Sequence, residues 1–270
     1  MSRVFRRFMN LVQMESEYTY RFPIMELLLA LILLMTFLTS FVPATSSINI
    51  GRSPSWNGTL PAQQYSDIFN NTLRWSTISC FAGLMHPLAF IVPILTSISV
   101  AGCIEDGTLK TLLSYPTKRE WLLESKVLLI TVVTALTSIL GITFAVVFLL
   151  PSGLALGDLS LLMSATVVHI ILLVAFGTLV SVVFKRVSVA ALGGVAFWYV
   201  LQYLFSMGLK DIRALSVFLP LPAAILAIGG QDGTSSALLA TEIPIYLVLS
   251  VGVAAALFAI CFMLFRRLEV

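Results

Sequence analysis

Two runs, 75–104 and 127–157, contain no Asp, Glu, Lys or Arg. A helix of about 20 uncharged residues matches the hydrocarbon layer of a bilayer. In that layer the backbone must satisfy its own hydrogen bonds, which leaves only helices or a closed barrel. Period-two alternation, the mark of barrel strands, is missing, so helices are expected. Composition agrees: 59% of residues are hydrophobic and 11% charged, where soluble domains carry about 25% charge. The gaps between charges define six candidate spans, 26–44, 78–102, 127–150, 159–184, 187–207 and 243–265. The expected fold is an all-α integral membrane protein with six transmembrane helices, a single transmembrane domain over 1–270.

A seventh apolar stretch, 214–231, is broken by Pro220 and Pro222 and closed by Gly229 and Gly230. It reads as a re-entrant or interfacial helical pair, because broken backbone is tolerated in a membrane where protein covers it. Basic residues concentrate on the cytoplasmic side of membrane proteins. With six spans and both ends inside, every Lys and Arg except Arg52, Arg74, Lys210 and Arg213 falls on that side. Residues 45–75 then form an outer loop, which holds Asn-x-Thr sequons at Asn57 and Asn70. The first run is longer than a signal-peptide core and reads as a retained anchor. Cys80 cannot reach Cys103 or Cys261 across a bilayer, so no disulfide framework is expected. Two histidines and no CxxC pair argue against zinc. The chain contains no P-loop, HExxH, GxSxG or dinucleotide glycine fingerprint. Nothing suggests a nucleic-acid site.

Between the two charge-free runs lies a heavily patterned polar segment, Glu-Asp-Gly-Thr-Leu-Lys-Thr-Leu-Leu-Ser-Tyr-Pro, starting at Glu105. Gly107 provides a flexible turn, and Asp106 or Thr108 can cap a short helix. Leu109, Leu112 and Leu113 share one face of that helix, and Tyr115–Pro116 stops it. Thr117 and Glu120 form a capping box for the third span. Trp121 suits the membrane interface, where Lys118, Arg119 and Lys126 would meet headgroups. Physics alone allows two roles: an amphipathic helix lying on lipid, or an element docked into a cytosolic partner.

This segment resembles the type-2 permease family of ABC (ATP-binding cassette) exporters. The matching residues are Glu105, Gly107, Thr108, Leu109, Leu112, Leu113, Pro116, Arg119, Ser125 and Lys126. Many members have an acidic residue where Cys103 stands and Gly where Ser125 stands. The resemblance implies that 103–121 is a cytosolic coupling segment contacting a separate nucleotide-binding subunit. ATP and Mg would then be held by that ATPase partner, and this chain would need no cofactor and perform no covalent chemistry. It also implies pairing with a second copy or a related permease, and a location in the cell membrane with both termini cytoplasmic. Residues 1–22, where Val4, Phe8, Leu11 and Val12 recur at helical spacing beside Arg3, Arg6 and Arg7, would form a cytosolic interface helix. Elementary physics reads the same stretch as an anchor on anionic membrane lipid.

Several polar groups inside the spans are candidates for a translocation pathway. His86 precedes Pro87, with Pro93 further on, and could be a kink-associated structural residue or a cavity residue. His169 is read as structural. Thr131, Thr134 and Ser138 form a stripe that could equally be helix-packing glue. Tyr199, Gln202, Tyr203 and Ser206 share a face of the fifth span, and the resemblance places spans two and five beside a dimer cavity. The expected function is ATP-driven export by alternating access. An intramembrane enzyme, or a scaffold or receptor without transport, are the alternatives.

Overall fold

The computed structural model describes residues 9–14, 26, 30–35, 38, 62–109, 119–148, 154–207, 213–229 and 235–267. Among these every regular element is a helix. Seven are labelled here: α1 (Ala62–Thr96), α2 (Arg119–Phe148), α3 (Leu156–Phe184), α4 (Val187–Ser206), α5 (Arg213–Phe218), α6 (Pro220–Gly229) and α7 (Ser235–Arg266). Helix α1 continues through one π-helical stretch, Ser97–Ala101, and a last turn, Gly102–Glu105. Among the described residues five helices are long and apolar enough to cross a membrane: α1 with its extension, α2, α3, α4 and α7. The chain is an all-α integral membrane protein.

The candidate span 26–44 lies largely outside the described residues; its piece 30–35 is helical, and Ile32 is fully buried in the main core. Residues 1–22 are described only at 9–14, a helical stretch with Leu11 buried and Met9 and Met14 exposed. One boundary differs from expectation. Residues 62–75, read as part of an outer loop over 45–75, belong to α1. Their polar composition hid a helix whose later turns are held by tertiary packing, which commonly overrides local propensity.

Helix α3 is the axis of the bundle. It is hydrophobic all round, as a helix enclosed by others must be. Leu162, Ala165, His169, Leu172, Leu173 and Ala175 on successive faces are all fully buried. Around it pack α1, α2, α4, α6 and α7. The helices run alternately, so one end of the bundle gathers Glu105, Glu120, Phe184, Val187 and Arg266, called here the near end. The far end gathers Arg74, Leu156, Ser206 and the short helices α5 and α6.

The stretch 214–231 contains two helices, α5 and α6. Pro220 and Pro222 sit in the first turn of α6, where the missing N–H groups would have had no helical partner. Ten residues rise only about 15 Å, half a bilayer core. Leu219, Leu221 and Ala224 are fully buried among the larger helices. Ser250 of α7 donates to the Val217 carbonyl at 2.6 Å, fastening α5 to α7.

Among the described glycines, the two with the tightest surroundings lie at one level of the bundle. A Cβ added to Gly177 of α3 would lie 2.3 Å from Thr96 Oγ1, and one added to Gly194 of α4 would lie 2.8 Å from Pro93 Cβ. Small residues let membrane helices come this near, where dispersion replaces the absent hydrophobic drive.

Candidate functional site

The patterned segment enters the described structure from both sides. On its leading side, Gly107 has φ 70°, a left-handed conformation that costs glycine little. Thr108 Oγ1 donates to the Cys103 carbonyl at 3.3 Å. Glu105 does more than precede a turn. Its Oε2 accepts the backbone N–H of Val187, the first residue of α4, at 2.8 Å. Helix α3 ends on Lys185 in the left-handed region (φ 56°), and Arg186 stands at the N-cap of α4 without capping it. The first N–H groups of a helix have no partner within it, so a carboxylate 82 positions upstream caps this one. A negative charge there also suits the positive end of the helix dipole.

Leu109 needs correction. Expected on an apolar face with Leu112 and Leu113, it is instead 2% exposed inside the chain's own near-end core. There it meets Val100, Leu122, Leu123, Val182, Cys261 and Phe265. The leucine therefore anchors the segment to α1, α2, α3 and α7 and is not free to enter a partner's groove. Lys110, Leu112, Leu113, Pro116 and Lys118 lie outside the described residues. On the trailing side, Arg119 opens α2 and Glu120 forms an ion pair with Arg266 at the end of α7. Lys126, expected at the headgroups, is 3% exposed and belongs to the bundle interior. Ser125 is fully buried and donates to the Leu122 carbonyl at 3.0 Å.

The intramembrane candidates separate into two groups. His86, Tyr199 and Tyr203 are exposed, and the His86 and Tyr199 rings stack with centroids 6.1 Å apart. Gln202, expected on their face, turns inward between α4 and α1, where its Nε2 donates to the Met85 carbonyl at 3.4 Å. Its Oε1 has no hydrogen-bond partner among the described residues. The expected single stripe is thus a boundary, with tyrosines outside and the amide within. Thr131 donates to the Val127 carbonyl at 2.8 Å. Thr134 and Ser138 are fully buried, and their hydroxyls have no partner among the described residues. His169 lies edge-on to Trp198, centroids 5.6 Å apart, within an aromatic cluster completed by Phe176 and Phe197. Neither imidazole nitrogen has a partner among the described residues. His169 thus packs among the rings that join α3 to α4.

Two fastenings escaped the sequence reading. Arg74, seen there only as an outer charge, donates to the Ile228 carbonyl in the last turn of α6 at 2.8 Å, while Trp75 packs at 3.5 Å from where a Gly229 Cβ would stand. The Glu105 cap had a faint signal: Lys185-Arg186-Val187 starts a helix with no Ser, Thr, Asp or Asn at its cap.

The fold and its two ends define a multi-pass helical membrane subunit. The family model described as ABC-2 family transporter protein matches residues 10–270. The chain belongs to that family, and is the membrane permease subunit of an ABC transporter. No curated protein matches it.

Proposed function

We propose that the protein exports a substrate by alternating access, driven by separate ATPase subunits that bind ATP and Mg and dock on segment 103–121. One observation supports this reading above the others. Both flanks of that segment are fastened to near-end helices, through Glu105 to α4, Leu109 to the shared core, and Glu120 to α7. A helix merely resting on lipid requires no such fastening; a lever that moves several helices does. Two permease chains would pair, with the exposed His86–Tyr199–Tyr203 face toward the shared pathway and Gln202 at its margin. The near end would be cytoplasmic, as the distribution of Lys and Arg favours, and the membrane would be the cell membrane, as the family resemblance implies.

Orientation is tested by thiol labelling in intact cells, using a chain whose three native cysteines are replaced. Ser55→Cys should react with an impermeant maleimide and Ser114→Cys should not. Labelling of the second from outside would reverse the topology and remove the coupling proposal with it.

The pathway is tested at Gln202. Gln202→Leu conserves volume but removes an acceptor that no described group satisfies. Substrate-stimulated ATP hydrolysis by the partner should fall about fivefold, the worth of one hydrogen bond near 1 kcal/mol. Undiminished stimulation in a chain that elutes as a folded complex would make the position one of helix packing only.

A further inference from the structure

Helices α1 and α4 meet at four levels. At the glycine level, Pro93 fills the space that a Gly194 side chain would need. One to two turns nearer the near end, Ala101 and Ala190 are both almost fully buried in a small shared cluster with Val180, flanked by Val187 and Phe176. At the end itself, Glu105 accepts the Val187 N–H, and a Cβ on Gly102 would lie 3.6 Å from Val187 Cγ2. The π-helical stretch Ser97–Ala101 falls between the first and second of these levels. Such stretches interrupt regular helix geometry and are frequent at functional sites, yet here the irregular turn is held against α4 on both sides. Toward the far end, the same helix pair carries the Gln202–Met85 contact.

We propose that α1 and α4 move as one rigid body and that Glu105 is the positioning residue that fastens them. Packing at Pro93 and Ala101 resists separation but allows α4 to slide or turn about its own axis. The carboxylate at its first N–H removes that freedom, because the bond is directional and lies at the very end of the helix. Displacement of segment 103–121 then reaches Gln202 through two helices acting together, without a hinge between them. The inference rests on the coupling role proposed above for that segment.

Two measurements separate the fastening from the transport reading. The first uses the purified permease with its native cysteines replaced and with Gly102→Cys and Val187→Cys introduced. Disulfide formation under a fixed oxidant should be rapid. Adding Glu105→Ala should slow it about fivefold, whereas Glu105→Gln, whose amide oxygen still accepts the N–H, should leave the rate within about twofold. An unchanged rate in Glu105→Ala overturns the fastening whether or not the protein transports anything.

The second measurement uses the permease–ATPase complex carrying a Ser206→Cys reporter at the far end of α4, probed with a maleimide. Trapping the ATPase with ATP and vanadate should change the reporter's labelling rate. Glu105→Ala should abolish that change, Glu105→Gln should retain it, and an oxidised Gly102→Cys/Val187→Cys pair should restore it in Glu105→Ala. Heating survival of each variant, measured in parallel, distinguishes restored transmission from restored folding. If the oxidised pair blocks the response in an otherwise wild-type chain, the two helices must part during the cycle and the rigid-body proposal fails. A wild-type complex with no response to nucleotide would overturn the proposed function, while the disulfide rates would still decide the fastening.

Discussion

Gly177→Ala should leave far less folded permease in the membrane than the wild-type chain, although only one methyl group is added. That methyl would sit 2.3 Å from Thr96 Oγ1, 3.2 Å from its Cβ and 3.4 Å from its Cγ2. The hydroxyl cannot easily yield, since it donates within its own helix to the Val92 and Pro93 carbonyls at 3.1 and 2.9 Å. Forcing α1 away from α3 would disturb the level at which Pro93 also meets α4. Overpacking of this kind costs about 1–3 kcal/mol, a large share of a native protein's total stability. The check is the fraction of fluorescent fusion that survives heating in detergent as a monodisperse peak. Thr96→Ala should recover much of the loss, because it deletes the clashing oxygen. Thr96→Ser keeps that oxygen and should recover little. Gly252→Ala is the control, since nothing lies within 4 Å of the added methyl. Equal losses at Gly177 and Gly252 would show that the close approach of α3 and α1 does not govern stability.

The second large effect is a difference between two leucines three positions apart. Leu109 is enclosed by Leu122, Leu123, Val182 and Phe265, so Leu109→Asp places a charge inside the chain's own core. Burying a charge without a partner costs several kcal/mol, and the expected result is loss of folded protein. Leu112 belongs to the part of the segment proposed to dock on the ATPase. Leu112→Asp should give a folded permease from which the ATPase dissociates, with a penalty of about 2–5 kcal/mol, more than tenfold in affinity. Leu112→Ala separates docking from a lipid-lying helix. It trims the contact yet keeps the face apolar, so docking predicts weaker co-purification at normal abundance, and a lipid-lying helix predicts no change. Wild-type co-purification by Leu112→Ala would leave the segment as an interfacial helix.

Much of the architecture was legible in the chain because a bilayer imposes a one-dimensional rule. Runs without charge must be long enough to cross and must satisfy their own backbone. Val187–Ser206 and Leu156–Phe184 accordingly begin and end within a few residues of the expected limits. The prolines at 220 and 222 announced a break for the same local reason: they lack an N–H. The motif from Glu105 to Lys126 marked the segment that the ABC-2 family membership now accommodates.

What the chain could not reveal was direction around each helix. Every side of a membrane helix is apolar, so periodicity no longer tells core from lipid. Leu109 therefore looked like part of a docking face, Lys126 like a headgroup contact, and Gln202 like a neighbour of Tyr199 and Tyr203. Which way each one points is decided by the helices that happen to surround it. The same holds for the fastenings that join distant parts of the chain. Glu105 caps a helix 82 positions away and Arg74 one 154 positions away, because an orphan N–H donates to, and an orphan C=O accepts from, any suitable group that tertiary packing brings near. The sequence by itself determined that this protein crosses a membrane as helices and roughly where; only the tertiary structure decided which charged groups hold those helices to one another, since that depends on proximity in space and on no pattern along the chain.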